Sequence, residues 1–293
     1  MGLATGIVLR GTGGFYDVRD DYGGMIRCRP RGRMRLDNLT ILAGDRVSYT
    51  LLEQGLGVIE EILPRRSVLT RPSVANIDQL IVVSACARPN PQLTLIDRLM
   101  VLAESNGIEP MLCLNKIDLV TNDVAQNLAT TYERAGYEVL KCSAKMGTGI
   151  DELRLALMGR VSSFAGPSGA GKSSLLNAIK PTLSLVTSAV SEKTGRGRQT
   201  TRQVELIELE HGSYVADTPG FSQLQLDGID ILDLGSYFPE IDRRSSDCRF
   251  SSCLHRSEPD CSILEAVEVG EIAQSRFDSY LLFLEELEQA RIY

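Results

Sequence analysis

The chain has 293 residues, of which 43% are hydrophobic and 24% are charged, and this composition excludes an intrinsically disordered protein. Seven cysteines, an odd number, favour free thiols or metal ligands over a disulfide framework. The net charge of −7 argues against nucleic-acid binding by the chain as a whole, but the charge is uneven, with +3 on residues 1–72 and −9 on residues 226–293. We therefore expect different partners for the two ends.

No targeting or membrane segment is expected. The first six residues lack the basic and then apolar pattern of a signal peptide. The longest apolar runs, such as residues 80–87, are too short to cross a bilayer. We expect a cytoplasmic protein without a membrane partner, and the absence of heptads favours a monomer.

Short β-type runs separated by glycine and asparagine turns fill the first domain, residues 1–72. Five short strands at this spacing are typical of a small barrel, and the sequence predicts an OB-fold. The expected strands cover residues 6–9, 15–18, 24–28, 46–50 and 57–62. A polar, proline-flanked segment, residues 64–72, is interpreted as a linker.

Arginine occupies every second position between residues 27 and 35 of this domain. In an extended segment these side chains project to one side, which suits contact with an RNA phosphate backbone. Pro30 and Gly32 favour a loop over a paired strand. A solvated surface loop is the alternative interpretation. The candidate RNA-binding residues are Arg27, Arg29, Arg31, Arg33 and Arg35.

Residues 73–225 change to strands that alternate with helices, which predicts a parallel α/β sheet with helices on both faces. Two short motifs follow strands of this sheet, where ligands bind in such folds. Asn115, Lys116 and Asp118 fit the pattern N-K-x-D. An ionised Asp118 can accept from guanine N1–H and from its exocyclic amine, and adenine offers no such pair of donors. Ser143, Ala144 and Lys145 form the companion motif, whose backbone amide meets guanine O6.

A phosphate-binding loop, G-x-x-x-x-G-K-[ST], lies between a predicted strand and a predicted helix. Its backbone N–H groups and the helix N-terminus favour anionic phosphates. Lys172 would reach the β- and γ-phosphates, and Ser173 would ligate Mg²⁺. The candidate GTP-binding residues of this loop are Gly166, Pro167, Ser168, Gly169, Ala170, Gly171, Lys172, Ser173 and Ser174.

The remaining nucleotide elements follow the loop. A glycine-rich polar stretch contains Thr201, the expected magnesium ligand, with Thr200 as the alternative. Asp217 and Gly220 fit D-x-x-G, in which Asp217 holds Mg²⁺ through water and the Gly220 N–H faces the γ-phosphate. Base-recognition elements therefore precede the phosphate loop, which predicts a circularly permuted GTPase. An ATPase is the alternative, and Asp118 argues against it.

A compact cluster of thiols and imidazole marks the third domain, residues 226–293. The pattern C-x₄-C-x-H-x₅-C provides three thiolates and one imidazole, a closed tetrahedral set that predicts a structural zinc site. The expected ligands are Cys248, Cys253, His255 and Cys261. A helix over 272–292 should pack its apolar stripe on this segment and leave Glu285, Glu286 and Glu288 in solvent.

These motifs together resemble the RsgA (YjeQ) family of circularly permuted GTPases, over nearly the whole chain. The resemblance implies binding to the small ribosomal subunit and its rRNA, a role in late maturation of the subunit, and GTP hydrolysis that the subunit stimulates. In that family a histidine typically precedes the two threonines that correspond to Thr200 and Thr201, whereas this chain has Gln199 there. We expect Gln199 to position the attacking water, with Lys172 and Thr201 as further catalytic residues. A non-catalytic, GTP-sensing RNA-binding scaffold is the alternative.

Overall fold

The computed structural model describes residues 3–32, 40–52, 55–70, 73–183, 204–210, 212–217, 225–226 and 228–292. The chain divides into two compact units, each assembled from three separate segments. The first unit comprises Met1–Leu80, Leu155–Phe164 and Lys193–Phe221. The second comprises Ile81–Arg154, Ala165–Glu192 and Ser222–Tyr293.

The first unit contains the predicted barrel. Its strands close in the order β1-β2-β3-β5-β4, with β1 paired to both β2 and β4, so the OB-fold prediction is confirmed. Alternating side chains such as Val8, Val18, Tyr49 and Ile59 fill its core. The strands are β1 (Ala4–Thr12), β2 (Phe15–Asp20), β3 (Met25–Pro30), β4 (Arg46–Leu51) and β5 (Leu56–Ile62).

Two local predictions about this unit are wrong. Pro30 ends β3 as a paired residue opposite Ile59, not in a loop. A proline is tolerated there because the pairing with β2 has already ended at Cys28. The expected linker is also partly structured, since β6 (Val68–Thr70) pairs with β7 (Ser73–Ala75) in a hairpin that buries Val74.

A second sheet has six strands in the order β10-β9-β8-β11-β13-β12. Its strands are β8 (Gln79–Ala85), β9 (Glu109–Asn115), β10 (Glu138–Lys141), β11 (Val161–Ala165), β12 (Glu205–Glu208) and β13 (Tyr214–Asp217). The pairs β9–β10 and β11–β13 are parallel, as predicted. β12 runs antiparallel to β13, so the sheet is mixed and not purely parallel.

Helices connect and follow these strands. α1 (Leu93–Ser105), α2 (Asn122–Ala135), α3 (Ile150–Ala156) and α4 (Lys172–Ile179) alternate with them along the chain. β8 is buried along its whole length, as expected of a strand covered on both faces. None of the helices in the described ranges combines the length and apolar character needed to cross a bilayer.

The C-terminal part of the second unit is helical, with α5 (Pro239–Ser245), α6 (Ser262–Glu268) and α7 (Gln274–Ile292). The predicted stripe of α7 is buried, and Tyr280 donates from its hydroxyl to the Leu254 carbonyl, 3.1 Å away, within the cysteine-rich segment. The acidic face is not simply solvated, because Glu286 pairs with Arg98 and Glu288 pairs with Arg256.

A buried arginine joins α7 to α5, 36 positions earlier, and to α1, 179 positions earlier. Arg276 is 1% exposed, and its Nε donates to Glu240 Oε1 at 2.7 Å. Its Nη1 donates to Asp97 Oδ1 at 2.7 Å, and the Tyr132 hydroxyl donates to the same oxygen at 2.9 Å. We call Arg276, Asp97, Glu240 and Tyr132 the buried arginine cluster.

Candidate functional site

The phosphate loop connects the end of β11 to the start of α4, as its motif requires. Two of its glycines are irreplaceable on geometric grounds. A Cβ on Gly166, whose φ is +141°, would lie 2.1 Å from the Val83 carbonyl oxygen. A Cβ on Gly171, whose φ is +99°, would lie 2.2 Å from Asn115 Nδ2. Only glycine accepts both the conformation and the close approach.

Lys172 begins α4 and folds back over the loop. Its Nζ donates to the carbonyl oxygens of Gly166, at 2.7 Å, and Pro167, at 3.1 Å. The side chain is half-buried, and this burial lowers the pKa of the Lys172 ammonium. Ser173 and Ser174 follow in the first turn of α4. One short segment therefore carries the Lys172 ammonium, the hydroxyls of Ser173 and Ser174, and the backbone amides of the loop.

Asn115 ties the phosphate loop to the companion motif. It is the last residue of β9 and is buried. Its Nδ2 donates to the Ala170 carbonyl at 2.9 Å, and its Oδ1 accepts from the Ala144 N–H at 3.2 Å. One side chain thus uses both ends of its amide to hold two loops, which fixes their spacing.

Asp118 lies exposed beside this clamp. Its Oδ1 accepts from the Ser143 hydroxyl at 2.6 Å, which orients the carboxylate. Lys116 adopts a positive φ of +63°, and its Cε lies 3.9 Å from where a Cβ on Gly171 would be. Lys145 is exposed next to the same edge. The predicted base-recognition residues and the phosphate loop are therefore adjacent within the second unit.

Several predicted residues cannot be placed against this site. Gln199, Thr200, Thr201 and Gly220 lie outside the described residues. Asp217 is the last residue of β13, and only its backbone is described. Their roles stay predictions.

Of the five arginines predicted to bind RNA, three are described by the structure and two are not. Arg27, Arg29 and Arg31 are exposed, and Cys28 between them is buried, so the alternation predicted for an extended strand holds there. The Arg27 guanidinium lies 5.0 Å from the centre of the Phe15 ring, and Arg31 pairs with Glu60. Arg33 and Arg35 lie outside the described residues.

The structure brings the three cysteines and His255 together, with all four ligand atoms within 4.8 Å of one another. Cys248 Sγ is 3.5 Å from His255 Nδ1 and 3.9 Å from Cys261 Sγ, and His255 Nδ1 is 3.4 Å from Cys261 Sγ. Tetrahedral ligands at zinc–sulfur and zinc–nitrogen bond lengths have edges of roughly 3.5–3.8 Å. These four residues could therefore hold one metal ion.

The loop around the cluster is itself held by Glu258. Its carboxylate accepts from the backbone N–H groups of Leu254, Arg256 and Ser257. Burial alone would raise the pKa of Glu258, but these N–H groups hold it at about 2. The carboxylate is therefore ionised at neutral pH and fixes the loop that carries His255.

Sequence reasoning missed the segment after β8. The Arg88 carbonyl accepts from Lys116 Nζ, and Pro89 Cδ lies 3.4 Å from where a Cβ on Gly169 would be. The sequence offered one signal for this segment: it directly follows a predicted strand, and ligands in such sheets bind at the carboxyl ends of strands.

The fold and this site define a guanine-nucleotide-binding protein of the GTPase class, with base recognition encoded before the phosphate loop. The RsgA GTPase family model matches residues 62–227, and the model of the RsgA N-terminal domain matches residues 5–59. A relative from Moorella thermoacetica, named small ribosomal subunit biogenesis GTPase RsgA, is 50% identical over 96% of this chain and 97% of its own. A Thermotoga maritima relative of the same name is 45% identical over 96% of each chain.

Solved structures agree. YjeQ from Thermotoga maritima superposes with a TM-score of 0.85 at 42% identity, covering 98% of this chain and 99% of the other. YloQ, described as a circularly permuted GTPase, gives a TM-score of 0.86 at 37% identity, covering 99% and 96%. The chain belongs to the RsgA GTPase family and is a GTP-hydrolysing enzyme, so the predicted family, permutation and activity are confirmed.

Proposed function

We propose that the protein binds the small ribosomal subunit, assists its late maturation in the cytoplasm, and hydrolyses GTP faster when the subunit is bound. The observation that carries this proposal is the clamp by which Asn115, of the base-recognition motif, holds the phosphate loop and the companion motif together. The relatives named for small-subunit biogenesis, at up to 50% identity over almost the whole chain, supply the expected partner.

Guanine would be selected by Asp118, whose carboxylate accepts from N1–H and from the exocyclic amine. The Ser143 hydroxyl supports this role because it already orients the carboxylate. The Lys116 chain would lie over the base. The Ala144 N–H, which donates to Asn115 Oδ1, would become a donor shared with guanine O6.

The phosphates would be held by the backbone amides of residues 166–174 and by Lys172. Ser173, Thr201 and Asp217 offer hydroxyl and carboxylate oxygens, which are the ligands that Mg²⁺ prefers, and the position of Ser173 in the first turn of α4 suits this role. When bound, Mg²⁺ would neutralise charge on the β- and γ-phosphates.

We propose that Gln199 positions the attacking water, since an amide both donates and accepts hydrogen bonds. Phe221 follows the D-x-x-G motif and offers neither. A GTPase of this kind therefore needs another polar group near the γ-phosphate.

The test is GTP turnover with and without small ribosomal subunits. We expect stimulation by subunits, and we expect Gln199→Ala to reduce stimulated turnover by roughly 10²-fold, the range of a lost acid–base or positioning group. Gln289→Ala, the same change at an exposed site on α7, should not alter it. Equal turnover by Gln199→Ala and parent would remove the role of Gln199. If the protein binds small subunits but they do not raise GTP turnover, the non-catalytic scaffold is favoured.

We propose that the cysteine–histidine cluster holds one structural zinc ion, because three thiolates and one imidazole complete a tetrahedron and leave no position for water. The ligand spacing supports this assignment. Three further proposals stand on the sequence. The rRNA backbone is contacted by Arg27, Arg29, Arg31, Arg33 and Arg35. The domains cover residues 1–72, 73–225 and 226–293, and the protein is a monomer.

Removing the metal is expected to destabilise the C-terminal helices. The purified protein should contain about one zinc per chain, and Cys253→Ser should lose it and unfold at lower temperature, since such sites contribute folding energy. Cys86→Ser, at a buried thiol outside the cluster, should keep the metal. Metal analysis and thermal unfolding are the readouts. A parent protein without bound zinc contradicts the assignment.

A further inference from the structure

Arg88 lies in the segment that follows β8, beside the nucleotide site, and no motif accounts for it. Its backbone has a φ of +51°, a left-handed conformation that a residue with a Cβ adopts only at an energetic cost. Such strain persists where surrounding contacts over-determine it, and it concentrates at functional sites. The contacts of this segment therefore indicate which function the strained backbone of Arg88 supports.

Three contacts fix the segment against both halves of the site. Cys86 donates from its N–H to the Asn115 carbonyl at 2.8 Å, and the Arg88 carbonyl accepts from Lys116 Nζ. Pro89 Cδ lies 3.4 Å from where a Cβ on Gly169 would be, in the middle of the phosphate loop. Arg88 is thus held between the base-recognition motif and the phosphate loop.

The side chain of Arg88 is exposed, and no acidic partner for it occurs among the described residues. Other arginines of the same unit differ, since Arg98 pairs with Glu286 and Arg154 pairs with Asp151. With bonds of about 1.5 Å, an arginine carries its guanidinium on the order of 6 Å from the backbone, enough to reach phosphates cradled by the neighbouring loop. An unpaired guanidinium in this place suits a phosphate oxygen as its partner.

We propose that the Arg88 guanidinium contacts the β- and γ-phosphates of bound GTP from within the same chain and stabilises the charge that develops during hydrolysis. This inference rests on the proposed function of the site. The water oxygen forms a bond to the γ-phosphorus as the bond from phosphorus to the bridging oxygen breaks. The bridging electron pair stays on GDP, both water hydrogens end on inorganic phosphate, and Arg88 remains protonated throughout.

The placement of Arg88 differs from that of the other cations of the site. Lys172 and the loop amides would contact the phosphates in GTP and GDP alike, and Lys116 is engaged with the Arg88 carbonyl. A guanidinium that arrives from the side of Gly169 adds positive charge where the leaving group gains negative charge, so it acts mainly in the transition state.

Single-turnover and steady-state GTP hydrolysis, each with and without small ribosomal subunits, would test this. Arg88→Ala should lower kcat by roughly 100-fold, the effect of one lost transition-state donor, and leave the Kd for GDP within about threefold. Affinity for GDP with aluminium fluoride, which mimics the transferring phosphoryl group, should fall with kcat. Millimolar guanidinium should restore part of the rate to Arg88→Ala.

Two further variants complete the design. Arg88→Lys keeps the positive charge but loses the planar, forked set of guanidinium N–H donors. Its kcat should therefore lie between those of Arg88→Ala and the parent. Arg134→Ala, at an exposed arginine on α2, should match the parent in every measurement. Unchanged turnover by Arg88→Ala overturns the inference. So does an equal loss of GDP binding in both Arg88 variants, which would make the residue a structural anchor. A parent that fails to hydrolyse GTP at all refutes the proposed function instead.

Discussion

Asp118→Asn should change the base preference of the protein from guanine to xanthine. The present carboxylate would accept two hydrogen bonds from guanine, whereas an asparagine in its place offers one acceptor and one donor. Xanthine has a carbonyl where guanine has the exocyclic amine, so the new amide would donate to that carbonyl. Sites built to hydrogen-bond a base reject a mismatched one strongly, and we expect GDP affinity to fall by roughly 10²–10⁴-fold.

Titration with GDP, XDP and ADP measures this change. The Ser143 hydroxyl can still donate to the asparagine oxygen, so the loops should keep their geometry. Asp123→Asn, the same substitution at an exposed position in the first turn of α2, should bind GDP as the parent does. If Asp118→Asn binds GDP with parental affinity, Asp118 does not read the base. Preference of the parent for ADP would make the protein an ATPase.

Arg276→Met should destabilise the second unit by about 3–5 kcal/mol, the range for breaking a buried ion pair from one side. Methionine fills much of the volume, but Asp97 and Glu240 lose their counter-charge at 0% and 6% exposure. Burial already raises the pKa of Asp97, and Arg276 opposes that shift. Without the arginine the pKa of Asp97 rises further, and protonation becomes the way to relieve the buried charge.

The sign of the pH dependence follows. A raised folded-state pKa means that the folded variant binds protons more readily than its unfolded chain, so its stability recovers as the pH falls towards that pKa. Denaturant unfolding should therefore show a larger deficit at pH 8 than at pH 5.5. Arg291→Met removes an exposed pair with Asp230 and should cost less than about 1 kcal/mol. A deficit for Arg276→Met as small as that would contradict the role of the cluster.

Adding Asp97→Asn and Glu240→Gln to Arg276→Met separates charge from packing. The triple variant should recover part of the lost stability, because neutral side chains no longer need a buried cation. It should also lose the extra pH dependence. If the stability does not recover, or if the extra pH dependence persists, the arginine stabilises chiefly through its contacts with aromatic rings. The Phe238 ring lies 4.7 Å from its guanidinium.

The elements with local signatures could be predicted from the sequence. Each barrel strand was visible as a β-type run between turn residues, and the phosphate loop as glycines at fixed spacing. The three cysteines and the histidine of the cluster lie within fourteen residues, so their spacing alone indicated that they come together. These features depend on neighbours along the chain, which the sequence displays directly.

Features that depend on distant partners could not be predicted. Arg276 and Asp97 are 179 positions apart, and nothing in the helical pattern of α7 marks one arginine as buried. The acidic face of α7 looked solvated because its partners Arg98 and Arg256 lie on other segments. Pro30 was misassigned because its tolerance depends on where β2 begins, and so on the register of β2 against β3.

The double hydrogen bond of Asn115 has a consequence for folding during synthesis. Its two partners, Ala144 and Ala170, lie 29 and 55 positions further along the chain. At about 5–20 residues per second, a ribosome that has just made Asn115 needs roughly 3–11 s more to deliver Ala170. The base-recognition half of the pocket therefore emerges first and cannot close until the phosphate loop arrives. In the order of translation, competence to bind nucleotide is a late event, acquired only when more than half of the chain exists.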